Sequence, residues 1–153
     1  MIDRRAVMMG SVGLIGLAAT GFAAPVVHTG RLRGVRDARL GRDFDARAAM
    51  HGLPVVDSKR DMAALLYGRG RDWIGQGSVL IGLTGYADFH VLSGIARERR
   101  ASLLAVHFQM TGDAIVTRSG RGEALLIQVP PAMRPLFELS ATGHPDTVAW
   151  VAA

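Results

Sequence analysis

With 153 residues the chain is long enough for one domain and too short for two ordinary ones. It carries 18 Lys+Arg against 13 Asp+Glu, a formal net charge of +5, and Lys59 is its single lysine. The absence of cysteine excludes a disulfide framework, a thiolate-ligated zinc or iron–sulfur centre and a thiol nucleophile. A hydrophobic fraction of 49% excludes wholesale disorder.

Acids and bases are interspersed from Arg31 to Arg121, with no long block of like charge. Aromatic residues make up 6% and are not interleaved with the arginines. That pattern argues against nucleic acid as a partner, because a single-strand platform needs stacking rings within a basic groove. A weak attraction to an anionic membrane surface or an acidic protein remains.

Arg4 and Arg5 precede an uncharged, Gly/Ala-rich stretch from Ala6 to Val27. A basic start, an apolar middle and a small-residue end form the layout of a signal peptide. Asp3-Arg4-Arg5-Ala6-Val7-Met8-Met9 resembles the twin-arginine (Tat) export motif, Ser/Thr-Arg-Arg-x-Phe-Leu-Lys. The arginine pair matches, Asp3 replaces Ser/Thr, and Met9 replaces Lys. The resemblance implies the Tat translocon as a partner during export and a folded cargo, often one loaded with a cofactor or bound to another protein. Gly21-Phe22-Ala23 supplies small residues for a cut before Ala24. Cleavage there removes Asp3, Arg4 and Arg5 and lowers the net charge by one. Two alternatives stay open. An uncleaved leader is long enough to span a bilayer, with its arginines on the cytoplasmic side of the inner membrane. A buried core helix of a cytosolic protein is the other. The expected organisation is therefore a leader over 1–23, a linker over 24–34 and one α/β domain over 35–153, in a periplasmic or otherwise exported protein.

Beyond the linker, strands and helices alternate. Val35–Leu40 reads as a short strand, and Arg42–His51 as a weak helix ending at Gly52. Pro54–Asp57 reads as a second strand. Asp57 or Ser58 is then positioned to cap a helix from near Lys59, with Met62, Ala63, Leu65 and Leu66 as its apolar stripe. Val79–Leu83, wholly apolar and bounded by glycines, predicts a buried parallel strand. Thr84-Gly85 turns the chain into a helix over Tyr86–Arg99, with Phe89, Leu92, Ile95 and Ala96 on one face and His90 and Arg97 opposite. Ser102–Phe108 is the next strand. Asp113–Arg118 and Glu123–Val129, separated by Ser119-Gly120-Arg121-Gly122, predict an antiparallel hairpin, and Thr147–Val151 a final strand. The rhythm predicts a small layered α/β domain with a largely parallel sheet and a C-terminal antiparallel hairpin. Gly82-Leu83-Thr84 and the helix after it resemble small Tat-exported proteobacterial proteins that are uncharacterised, over about half the chain. That resemblance implies no activity.

Catalytic and cofactor motifs are missing. The glycines at 68, 70, 75 and 77 precede a strand instead of opening a helix after one, so they complete no dinucleotide fingerprint. No Gly-x-Ser-x-Gly and no His-Glu-x-x-His occurs. The histidines at 28, 51, 90, 107 and 144 share no paired helical spacing, and His107 with Met110 makes two copper-type ligands, short of a site. No metal is expected and no cofactor is indicated.

Geometry is more informative. In open α/β sheets ligands sit at the carboxyl ends of the strands. That edge collects Asp57 and Ser58 after one strand, Thr84, Tyr86 and Asp88 after another, and His107 at the end of a third. Asp88 in a first helical turn also simply favours the helix dipole, and Thr84 also serves as a cap. Three readings follow. One is an exported periplasmic binding or accessory protein of unknown ligand, with a partner subunit of an exported enzyme as one form of it. Another is a small exported hydrolase or transferase built on Asp88, His107 and Thr84. The third is a leader-anchored subunit of a membrane complex, with a protein partner in the membrane. N-terminal sequencing of the exported protein is expected to begin at Ala24; a start at Met1 in the membrane fraction would identify the anchored form.

Overall fold

The computed structural model describes residues 32–40, 42–109, 111–138 and 146–153. The leader with Arg4 and Arg5, residues 24–31, Met110 and His144 lie outside the described residues. Among the described residues no helix is long and apolar enough to cross a membrane.

The elements run β1 (Leu32–Arg36), α1 (Arg42–Met50), β2 (Val55–Asp57), α2 (Met62–Tyr67), β3 (Val79–Gly85), α3 (Tyr86–Glu98), β4 (Leu103–Phe108), β5 (Ala114–Ser119), α4 (Gly122–Leu125), two 3₁₀ turns (Leu126–Gln128 and Pro131–Phe137) and β6 (Thr147–Ala152). All six strands join one sheet in the order β2-β1-β3-β6-β4-β5. β1 pairs in parallel with β2 and β3. β6 is antiparallel to both β3 and β4, and β5 is antiparallel to β4. The fold is α/β as expected, but the sheet is mixed, because β6 enters between two strands that run the same way.

Helices cover both faces. On one, α2 and α3 contribute Met62, Leu65, Leu66, Phe89, Leu92 and Ile95, packed on Val35, Leu80 and Trp150. On the other, Phe44 and Ala48 of α1 join Met133 and Leu136 against Ile81, Val106 and Val151. Alternation along each strand sends successive side chains to opposite cores, which is why β6 (Thr-Val-Ala-Trp-Val-Ala) is buried along its whole length.

Trp150 lies opposite Gly82 in the β3–β6 register. A methyl group at Gly82 would overlap the indole, so glycine there creates the space the ring occupies. The indole N–H donates to Thr84 Oγ1 at 3.0 Å, which satisfies a polar group in an otherwise apolar layer.

Several boundaries differ from expectation. β1 begins at Leu32, so residues 32–34 belong to the sheet and not to a linker. α2 starts at Met62 and is capped by Asp61, whose carboxylate accepts from the Ala64 N–H at 2.8 Å. Asp57 and Ser58 do not cap it: Lys59 and Arg60 take positive φ (52° and 58°), which no helix continues. The hairpin partner of β5 is β4, and Glu123–Val129 forms no strand. A strand would put Leu125, Ile127 and Val129 on one face. Instead Leu125 and Val129, four apart, are buried while Ile127 is 72% exposed, which is helical phasing.

Gly82→Ala is expected to lower unfolding free energy by about 1–3 kcal/mol through overpacking against Trp150. Gly94→Ala, in α3 with open space beside it, is expected to raise it by about 0.5–1 kcal/mol. Urea titration of the two variants reads both signs.

Candidate functional site

β1, β2, β3 and β4 all run in one direction, so their carboxyl ends share one edge of the sheet. The six residues expected there do lie at strand ends or in the first turn of α3, but they separate into three groups with different partners.

Thr84 is fully buried, and its hydroxyl accepts the Trp150 N–H. It serves the core. Ser58 and Asp88 form the second group: both are buried, and the Ser58 hydroxyl donates to Asp88 Oδ2 at 2.6 Å. This bond ties the end of β2 to the first turn of α3. Asp57 faces elsewhere, accepting from the Lys59 N–H at 2.8 Å and lying 3.2 Å from Arg36 Nη1. Arg36 Nε in turn donates to both Asp45 oxygens, at 2.8 and 3.0 Å, joining β1 to α1. Asp57 and Ser58 line a depression of their own, with Lys59 and Asp61.

The third group is Tyr86 with His107. Their rings stack with centroids 4.7 Å apart. His107 is 12% exposed, its Nε2 is buried without a hydrogen bond, and Asp146 Oδ1 lies 3.6 Å away. Tyr86 thus roofs an imidazole whose free nitrogen looks toward Asp146. No hydrogen bond among the described residues joins Thr84, Asp88 and His107, so the arrangement a nucleophilic triad requires is not assembled. Among the described residues no group of three or more His, Asp or Glu has metal-holding geometry.

Three residues at this edge were not singled out from the sequence. Asp37 follows β1 directly and is buried, and its N–H donates to Leu83 O at 3.0 Å. Its carboxylate accepts from the Arg39 N–H at 3.0 Å, from Arg39 Nε at 3.3 Å and from Nη2 at 2.9 Å. Side-chain hydrogen bonding from Arg39 holds the Asp37 carboxyl below the ordinary aspartate range, helped by the Arg39 N–H and the nearby Arg60 charge and opposed by burial. Asp37 raises the Arg39 guanidinium in turn, with a smaller contribution from Asp88. Asp146 is the third residue. The Asp37-x-Arg39 spacing was the available signal for a turn clamped by its own side chain; placing the strand over Val35–Leu40 concealed it.

An open cleft of about 750 Å³ lies here, lined by Arg39, Leu40, Gly85, Tyr86, Ala87, His107 and Asp146. Its position follows from the topology. From β1 the chain crosses through α1 to β2 on one side; from β3 it crosses through α3 to β4 on the other. The strand order therefore reverses between β1 and β3, and the loops leaving these two strands part around a crevice. Gly85 caps α3 without a side-chain hydrogen bond, so the first-turn N–H groups are not taken by a cap.

The depressed Asp37 carboxyl carries a pH dependence. Its folded value lies below the unfolded one, so its contribution to stability is present above about pH 4 and is lost as pH falls through the folded value. Wild type and Asp37→Asn, compared by urea midpoints at pH 7, 5 and 3, are expected to differ most at the two higher values, with the gap narrowing at pH 3. A gap independent of pH would rule the pairing out.

No protein-family model, no curated protein and no solved structure matches this chain.

Proposed function

We propose that this chain is an exported, periplasmic binding or accessory module whose ligand occupies the cleft between the loops after β1 and β3, and which serves as partner subunit of an exported enzyme. The observation that carries the reading is the place of the cleft: it opens where the strand order reverses, where open α/β sheets hold small molecules. The twin-arginine leader supports export of a folded cargo. The cleft's polar groups are of recognition type: an exposed guanidinium, an exposed phenol ring, a carboxylate and uncapped helix N–H groups. Thr84 and Ser58 are each held in a buried hydrogen bond and have no imidazole partner among the described residues, so no specific observation favours the hydrolase reading.

The test is a pull-down of the chain beginning at Ala24 from periplasmic and membrane extracts, with mass spectrometry of retained proteins and small molecules. A small molecule retained by the wild type and reduced at least tenfold in Tyr86→Ala supports the reading. Recovery of no specific ligand or partner overturns it.

A further inference from the structure

The cleft carries opposite charges on its two sides. Along the sheet edge, Arg39 and Leu40 belong to the β1 side and Gly85, Tyr86 and Ala87 to β3. Asp146 belongs to β6 and His107 to β4. Asp146 directly precedes Thr147, which pairs with Gly85 on one side and Phe108 on the other. Arg39 and Asp146 thus approach from strands two places apart, roughly 9–10 Å between strand axes, with Gly85 between them. Their side chains are 59% and 66% exposed, so both charges are available to a visitor.

Each side has spare capacity for its charge type. Asp37 engages Arg39 through Nε and Nη2, and no described residue accepts from Nη1. A guanidinium so anchored presents fixed donors to an anion, and the uncapped first turn of α3 adds backbone N–H groups beside it. On the other side, Asp146 lines the cleft together with Tyr86, which is 49% exposed and has one ring face stacked on His107. A carboxylate and an aromatic face together hold an ammonium group. Between the two sides, a Cβ added at Gly85 would meet no atom within 4 Å, and its φ of −70° is open to any residue. Neither packing nor backbone conformation calls for glycine there; the space it leaves belongs to the cleft.

We infer that the ligand is a small zwitterion, with its anionic group on Arg39 and the α3 N-terminus and its cationic group on Asp146 and Tyr86. This rests on the reading of the cleft as a binding site and adds the chemical class. A simple anion would leave the Asp146 charge unanswered and facing it, and a simple cation would leave Arg39 Nη1, the arm of the guanidinium that Asp37 does not engage, without an acceptor.

Calorimetric titration of the chain beginning at Ala24 uses three probes of one length: 6-aminohexanoate, hexanoate and hexylamine. The zwitterion is expected to bind at least tenfold more tightly than either singly charged probe. Arg39→Gln should remove that advantage over hexylamine, and Asp146→Asn the advantage over hexanoate, with circular dichroism confirming that both variants remain folded. Equal binding of the three probes, or no binding of 6-aminohexanoate, overturns the zwitterion assignment. If the extract pull-down still returns a small molecule dependent on Tyr86, the assignment alone has failed; if it returns nothing, the binding reading has failed with it.

Discussion

The Trp150 indole laid over Gly82 is the contact on which the sheet depends. β3 and β4 run in the same direction, and something must fill the space between them. β6 does so, hydrogen-bonding to both neighbours while its largest side chain occupies the space a Cβ at position 82 would need. The Trp150–Thr84 bond then orients the ring and removes the cost of a buried indole N–H. Everything at the carboxyl edge inherits its position from this arrangement: Gly85 and Phe108 become neighbours of Thr147, and Asp146 is delivered to the cleft.

Buried acids at that edge are answered one by one. Asp88 takes the Ser58 hydroxyl, Asp37 takes Arg39, and the half-buried Asp57 and Asp45 share Arg36. These bonds join β1, β2, α1 and α3, so the edge is stiffened by polar contacts where the core thins out. Pairing a buried carboxylate is a requirement more than a gain, since an unanswered one costs several kcal/mol. His107 differs from this pattern, its Nε2 held short of bonding distance from Asp146.

How much of this was legible in the residues depended on the scale of the signal. β3 and α3 read clearly, because an apolar run between glycines and a helical stripe of Phe89, Leu92, Ile95 and Ala96 are local patterns. The place of β6 was not legible: its residues announce a buried strand, but nothing local says which strands it separates. The same holds for Glu123–Val129, whose apolar residues fit either period until Leu125 and Val129 meet the core and Ile127 does not. At the edge, topology alone brought Ser58, Thr84, Tyr86, Asp88 and His107 to one end of the sheet. Side-chain pairing then divided them, and pairing across distant strands has no signature in a single sequence.

The position of β6 bears on how the chain is made. β6 follows the other five described strands in the sequence and alone joins β1–β3 to β4–β5, so without it the inner edges of β3 and β4 have no partner in the sheet. Such edges invite pairing with other chains until they are closed. The cleft has the same history, since one of its two charges arrives with β6. Before that strand docks there is neither a continuous sheet nor a complete cleft, so the cleft takes shape in the same event that closes the exposed strand edges.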